Sequence, residues 1–579
     1  MAEVTRWIAA PAPQLRERAG RLCEALRIHS PAARVLVQRG YGEPECAARF
    51  LQPALDHLHD PFLMLGMTAA AARLKRAIAG GEKILLYGDY DVDGACSVAI
   101  LLKAIELAGG RASFHIPDRL RDGYGMHAEV MEKAAAEGVS LIISVDTGIR
   151  AQAAVERARA AGMDVIITDH HLPEEVLPAA LAILNPRQPG CPYPEKSLCG
   201  AGVALKLAQA LLSDLGWPEA RRRRLVESFL KLTAIATVAD VAPLTGENRV
   251  IVKCGLDGLK NIRNPGLRAL LQVAGIQEGE ALTAGQVAFR LAPRLNAAGR
   301  MASAAGVVEL LLTRDQQRAE ALAAQLHAWN QERQQAETEI VREILAECER
   351  TKAAESQVAL VFCGRGWHRG VVGIAANRLV EMYHRPVFVL SDEGDGEAQG
   401  SGRSVPAFHL LEALESMSEL FVRFGGHRQA AGLTIPVQRL DEFRRRINTY
   451  AAARLSPEDL VRTFEIDAEL DLAEISADAV QEVLALAPFG YGNPAPVFAV
   501  RGVMVKEAPV VMKDKHLRLR FFHNGRALTA KAWHFAGRAA ELERGAKVDV
   551  LIGFEPDPYS AGRGYPPWSA TLRDVRAAE

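Results

Sequence analysis

Gly88-Asp89-Tyr90-Asp91-Val92-Asp93-Gly94 places three carboxylates within five positions, directly after the apolar run ILLY. In an extended stretch residues i and i+2 share a face, so Asp89, Asp91 and Asp93 converge. Three anions packed together are costly unless a cation neutralises them. The same placement recurs downstream: Asp146 closes LIISVD before Thr147-Gly148, and Asp169-His170-His171 follows VIIT. Asp240, at the end of AIATVAD, is a further candidate ligand, although spacing alone does not single it out. Mixed carboxylate and histidine coordination suits Mn2+ or Mg2+. A pair of such ions stabilises both the attacking and the leaving oxygen in phosphoryl transfer. A lone DxD after a strand is as readily a helix cap as a ligand, and an isolated His-His pair is more often a supporting group. Three such features at successive strand ends are not explained by capping.

The elements that must position these groups are legible as a rhythm. KILLYGDYD, RASFHIPD, SLIISVD, MDVIITDH and LAILNP are short runs rich in Ile, Leu and Val, mostly separated by Ala-rich helical stretches such as 95–108 and 149–161. The alternation predicts a mainly parallel sheet with helices on both faces, whose ligands sit at the C-terminal ends of the strands. Before it, residues 1–65 are helical in pattern and broken by prolines, ending at DHLHDPFLM. Residues 199–240 read as two helices and 241–310 as a mixed segment containing PRLNAAGRM. A long polar run without Gly or Pro, 313–355, predicts one extended connector helix. A second α/β pattern, 356–455, begins near QVALVFC, continues with a helix near 370–383 and the strand PVFVLS, and contains the glycine-rich FGGHRQAAG. Residues 462–579 carry alternating segments broken by Gly and Pro, which predict a small β-barrel. The first α/β domain then spans 66–312.

Bulk properties set the bounds. At 579 residues the chain exceeds what one core supports, so three or four domains are expected. Its 69 basic and 70 acidic residues give a net charge of -1, which carries no signal for nucleic acid. Eight cysteines without a CxxC pair suggest neither a zinc ribbon nor a disulfide scaffold. Neither a signal-like N-terminus nor an apolar run of the ~20 residues needed for a membrane span occurs, so the cytoplasm is the expected compartment.

GDYDVDG, SVDTG and TDHH, in this order, resemble the DHH phosphoesterase superfamily. Further segments, including HIPDRLRDGYG, CGAGVA, TVADVAPL, WHRGVVGIAANRL, GSGRS and FGGH, are similar to its bacterial branch of single-strand-specific 5'-to-3' DNA exonucleases. The resemblance implies a DHH and a DHH-associated α/β domain, joined by the long helix around a central cleft, with a C-terminal OB-like barrel. It also implies two ions, Mn2+ or Mg2+, with Asp146 bridging. Asp89 or Asp91 would complete one ion, and Asp93, His170 and Asp240 the other. Asp91, Asp93, Asp146, His170, His171 and Asp240 would be the catalytic set, His171 lying beside the scissile phosphate.

The second domain would face the metals across the cleft, making Ser401, Arg403, Gly426 and His427 candidates for holding the substrate backbone. Arg119, Arg294 and Arg300 are candidates for phosphates, including the 5' end. Arginine forks and exposed backbone N–H groups are what a phosphate needs, although a surface ion pair explains any single arginine equally well. Residues 508–540 interleave seven Lys or Arg with Phe521, Phe522, Trp533 and Phe535, a composition suited to single-stranded DNA; aromatics alternating along a strand are as readily core. The implied product is a 5'-mononucleotide, in DNA recombination and repair. The expected state is a monomer, with a helicase and a single-strand-binding protein as implied partners. Two other readings compete: a phosphodiesterase of small oligonucleotides or cyclic dinucleotides, which lacks the terminal segments, and a non-catalytic DNA-binding factor, which would have lost metal ligands.

Overall fold

In the computed structural model, which describes residues 5–9, 13–119, 121–123, 125–213, 215–557, 560 and 566–578, the expected strand rhythm forms one fully parallel sheet. Positions 120 and 124 of the segment HIPDRLRDGYG lie outside the described residues. The strand order is Ala112–His115, Lys83–Gly88, Val139–Val145, Asp164–Thr168, Ala182–Leu184. Successive side chains go to opposite faces. Ile84, Leu86, Leu141, Ile143 and Val145 pack with the helices Val92–Leu107, Gly200–Ser213 and Glu219–Ala239, while Leu85, Tyr87, Ile142, Val165 and Ile167 pack with Ala128–Ala136 and Gln152–Ala160. The chain runs outward from Lys83–Gly88 to Ala112–His115 and then back across to Val139–Val145. That reversal opens a crevice at the C-terminal ends of Lys83–Gly88 and Val139–Val145, the ligand position of open α/β sheets.

The connector is a single helix, Gln316–Thr351, capped by the Asp315 side chain, which accepts from the Arg318 backbone N–H. At about 1.5 Å per residue it is long enough to serve two cores. Ala319, Leu322, Ala323 and Leu326 complete the core of the first domain, whereas Ile340, Val341, Ile344 and Cys348 pack under the second. The second domain is a mixed sheet ordered Arg423–Gly426, Ala430–Pro436, Glu397–Arg403, Val387–Asp392, Leu360–Arg365, in which only the last two strands are parallel.

The C-terminal region closes a five-stranded barrel. Phe498–Val505 pairs with Lys547–Pro556, then Trp568–Ala577, Arg526–Ala532 and His516–His523, which returns to Phe498–Val505. A single parallel contact, between Arg526–Ala532 and Trp568–Ala577, completes the OB-type topology.

The N-terminal segment differs from expectation. It opens with a strand, Thr5–Ala9, that pairs in parallel with Arg462–Ile466, and its helices share a core with the barrel, Leu22, Leu36 and Phe50 packing in one cluster with Val480 and Phe498. Five residues are too few to establish a period, and the pairing partner lies at the far end of the chain, so local pattern could not reveal it.

Candidate metal centre and facing cleft

Each strand tip of the crevice delivers its ligands through a distinct local device. Asp91 caps the helix Val92–Leu107, accepting from the backbone N–H groups of Asp93 at 2.8 Å and Gly94 at 3.0 Å. The capping explanation is therefore true of Asp91 and leaves Asp89 and Asp93 unexplained. Asp93 is fully buried and accepts from Gly200 N–H at 2.6 Å and Ala201 N–H at 2.7 Å, at the positive end of the helix Gly200–Ser213. Gly200 is needed here because a Cβ at that position would stand 2.6 Å from the Asp146 Cβ. Asp146 itself adopts φ 60°, the left-handed region that Asp tolerates better than most residues and that costs free energy at a site held by its surroundings. Asp240 ends the helix Glu219–Ala239.

The ligand atoms converge. Asp89, Asp91 and Asp146 form one group within 4.8 Å, Asp93, His170 and Asp240 a second, and Asp146, His170 and His171 a third that joins the other two. His170 Nε2 stands 3.1 Å from Asp146 Oδ1 and 3.8 Å from both Asp93 Oδ2 and Asp240 Oδ2. Even so, His170 Nε2, Asp146 Oδ1 and Asp89 Oδ1 are buried without a hydrogen-bond partner. Orphaned buried polar atoms cost several kcal/mol in aggregate, at about 1–3 each. A divalent cation satisfies all of them, so the residues present fit a two-ion centre.

The electrostatics agree. Burial, and then the neighbouring carboxylates, raise the pKa values of Asp89, Asp146 and Asp240 well above the ordinary range and push Asp93 up to about 6. Burial pushes His170 down to about 3, assisted by His171, which keeps its imidazole neutral and available as a ligand. Burial also opposes charge on His171, but its bond to Asp169 and the charges of Asp169, Asp89 and Asp93 outweigh it and raise its pKa. Asp169 is spent on orientation. It accepts from the backbone N–H groups of Ile149, His170 and His171, and its Oδ1 lies 2.7 Å from His171 Nδ1. A cation at a hundred times its dissociation constant is expected to stabilise the folded protein by about 2.7 kcal/mol. A melting transition unmoved by Mn2+ after EDTA treatment would remove the metal assignment.

Among the candidate substrate residues the structure separates two groups. Arg119, Arg300 and Arg403 feel one another's charge, and none has a carboxylate at ion-pair distance among the described residues. Arg300 is half-buried and its pKa is pushed down to about 9, first by desolvation and then by Arg119, Arg333 and Arg403; its Nη1 donates to Gly370 O of the second domain at 2.9 Å. Arg119 lies over the Tyr90 ring at 5.0 Å. Ser401 and Arg403 share a face of the strand Glu397–Arg403. His427 is exposed, and its pKa is lowered first by burial and then by the charges of Arg150 and His171. Its neighbour Gly426 has φ 149°, where any Cβ would lie 2.4 Å from Ala430 O.

Arg294 is not brought to this group. It donates from Nε to His327 on the connector at 3.2 Å and from Nη1 to Arg290 O. In the barrel, Phe521 is fully buried core, whereas Trp533 is 44% exposed. Asn296 was not singled out by the sequence. Its Oδ1 accepts from Val92 N–H at 3.1 Å and so ties the acidic loop to the helix Ala292–Met301, and its place within PRLNAAGRM was the available signal.

Comparison with known proteins joins these parts. The DHH family, N-terminal domain, matches residues 83–237, the DHHA1 domain 355–453 and the RecJ OB domain 466–563. The chain is 38% identical to the single-stranded-DNA-specific exonuclease RecJ of Bacillus subtilis (strain 168), over 92% of this chain and 66% of that protein. It is 39% identical to the protein of the same name from Escherichia coli (strain K12), over 78% of this chain and 80% of that one. The crystal structure of RecJ in complex with Mn2+ from Thermus thermophilus superposes with a TM-score of 0.84 at 31% identity, covering 100% of this chain and 80% of that chain. With these three domain models matched in turn along its length and such identity to RecJ proteins, the chain belongs to the RecJ family of the DHH phosphoesterases.

Proposed function

We propose that this protein is an exonuclease specific for single-stranded DNA, dependent on Mn2+ or Mg2+, that hydrolyses phosphodiester bonds from the 5' end and releases 5'-mononucleotides. The observation that carries the reading is the trio Arg119, Arg300 and Arg403, unpaired with carboxylates among the described residues and set beside the acidic centre. Three cations in a partly buried cleft next to a two-ion site suit a terminal phosphate, and a site that holds the strand's end makes the enzyme an exonuclease.

Asp89, Asp91, Asp93, Asp146, His170 and Asp240 would hold the two ions. When bound, these supply charge stabilisation at the attacking and leaving oxygens of an in-line displacement. The chain's own groups do the positioning. Asp169 fixes the ring of His171, whose raised pKa suits donation of a hydrogen bond or proton to charge developing on the phosphate. Ser401, Arg403, Gly426 and His427 would grip the backbone from the second domain. The barrel, with Arg518 and Arg520 pointing outward from His516–His523, would carry the trailing single strand. Arg294 would contribute at most through the connector. The protein would act as a cytoplasmic monomer in recombination and repair, supplied with single strands by a helicase and a single-strand-binding protein; no helix among the described residues is long and apolar enough to cross a membrane.

With Mn2+, the purified protein is expected to degrade a 5'-phosphorylated single strand and to spare a blunt duplex. Cleavage confined to dinucleotides would favour the small-oligonucleotide reading instead. Arg403→Ala is expected to lower kcat/KM on the 5'-phosphorylated strand by about 10- to 100-fold, the worth of a charge-assisted phosphate contact. It should also narrow the difference between 5'-phosphoryl and 5'-hydroxyl substrates. An unchanged preference would remove Arg403 from the terminal site.

A further inference from the structure

Phe289 is the most exposed large apolar side chain among the described residues, at 82%. It stands on a single π-helical turn, Val287–Leu291, a distortion frequent at functional sites. Two more of the most exposed apolar residues, Tyr491 at 64% and Val241 at 63%, line the same cavity, which has a volume of about 480 Å³. Val241 follows the metal-site residue Asp240 and adopts φ 56°, an outlying conformation for a β-branched residue. The loop carrying Tyr491 comes from the start of the barrel domain and is pinned by the bond from Leu244 N–H to Tyr491 O at 2.7 Å.

The cavity adjoins segments that build the metal centre, although no candidate metal ligand lines it. Its lining includes Val238, Ala239 and Asn296, which flank Asp240 and hold the acidic loop, and Arg300 of the cationic trio. Among the described residues its only charged lining groups are Arg300 and Arg333, both positive. A ligand matching an apolar aromatic wall, a cationic end and no acid is an anionic chain bearing flat apolar rings.

We propose that this cavity is the binding site for the nucleobases of the substrate strand next to the scissile phosphate, with Phe289 and Tyr491 as their stacking surfaces. The assignment rests on the exonuclease reading for the identity of the strand. It explains why aromatic side chains stay exposed where no described protein element covers them, since every base presents a face that stacks irrespective of sequence. It also places the bases in a cavity walled by four parts of the chain, the first domain, Arg333 of the connector, Ile374 of the second domain and the Phe489–Tyr491 loop.

The test measures binding without cleavage, by fluorescence anisotropy of a short 5'-phosphorylated oligo(dT) on the full chain carrying Asp146→Asn. Adding Phe289→Ala is expected to raise Kd by about tenfold, within the range of one lost base–aromatic stack, with Phe289→Trp restoring it. An oligonucleotide with abasic residues at its first three 5' positions should bind the Asp146→Asn chain correspondingly weakly and lose little more on Phe289→Ala. An unchanged Kd, or abasic and Phe289→Ala losses that simply add, would overturn the assignment. Because Phe289 is exposed, its replacement should leave the melting temperature in place. If wild-type protein with Mn2+ fails to cut the same oligonucleotide, the exonuclease reading falls, and the Kd comparison still decides the cavity.

Discussion

Asp146→Asn is expected to lower hydrolysis of single-stranded DNA by about a thousandfold or more, because Asp146 stands with Asp89 and Asp91 in one ligand group and 3.1 Å from His170 of the other. The same change carries a second, opposite signature. In the absence of cations, burial and then Asp93, Asp91, Asp89 and Asp240 raise the Asp146 pKa, which means that its charged form is repelled in the folded state. A neutral amide of the same shape relieves that repulsion. In EDTA the variant is therefore expected to melt no lower than wild type, while the stabilisation by Mn2+ shrinks. Asp93→Ala is a less discriminating probe. It would leave the backbone N–H groups of Gly200 and Ala201 without acceptors, at about 1–3 kcal/mol each, and would confound lost chemistry with lost stability. Normal turnover by Asp146→Asn, together with an unaltered response to Mn2+, would remove the two-ion assignment.

What was legible in the sequence was whatever repeats locally. Carboxylates at the ends of Lys83–Gly88, Val139–Val145 and Asp164–Thr168 stand out because each follows an apolar run, and a parallel sheet brings such ends to one edge. Asp240 carries no such signal: it closes a helix, and its place beside Asp93 and His170 is set by how that helix packs. Arginines are harder still. Arg119, Arg294 and Arg300 look alike in sequence, yet Arg300 reaches across to Gly370 whereas Arg294 turns to His327. The long flexible stem lets the fold, and not the spacing, decide where each guanidinium lands. Aromatics in the barrel follow the same logic, Phe521 falling on the inward face of its strand while Trp533, just past the end of the next strand, stays partly exposed. The pairing of Thr5–Ala9 with Arg462–Ile466 and the Phe289 cavity were out of reach, since both are made by segments far apart in the chain.

Glu247→Ala is expected to destabilise the protein by about 3–5 kcal/mol, although it lies outside the cleft. Glu247 and Lys206 form an ion pair at 2.6 Å with both side chains fully buried. The same carboxylate accepts from Tyr193 OH at 2.6 Å and from His59 N–H at 2.8 Å, so it fastens three distant segments to the helix Gly246–Gly258. Removing it leaves a buried ammonium without its ion-pair partner, with only the charge of Asp60 still favouring it, and strands a hydroxyl and an amide. Burial already depresses the Lys206 pKa, and Glu247 is the main influence opposing that depression. Without Glu247 the folded state disfavours the protonated lysine more strongly while the unfolded chain keeps it. The unfolded state then binds more protons, and the variant's stability rises with pH toward the ordinary lysine value. The deficit in melting temperature should accordingly shrink between neutral and alkaline pH. Replacing both partners by apolar residues, Lys206→Met with Glu247→Leu, should recover most of the loss. Lys206 sits in the helix Gly200–Ser213, whose first amides hold Asp93, so the pair also seats the helix that orients a proposed metal ligand. An unfolding midpoint unchanged in Glu247→Ala, or a deficit that ignores pH, would show that the buried pair does not anchor that helix.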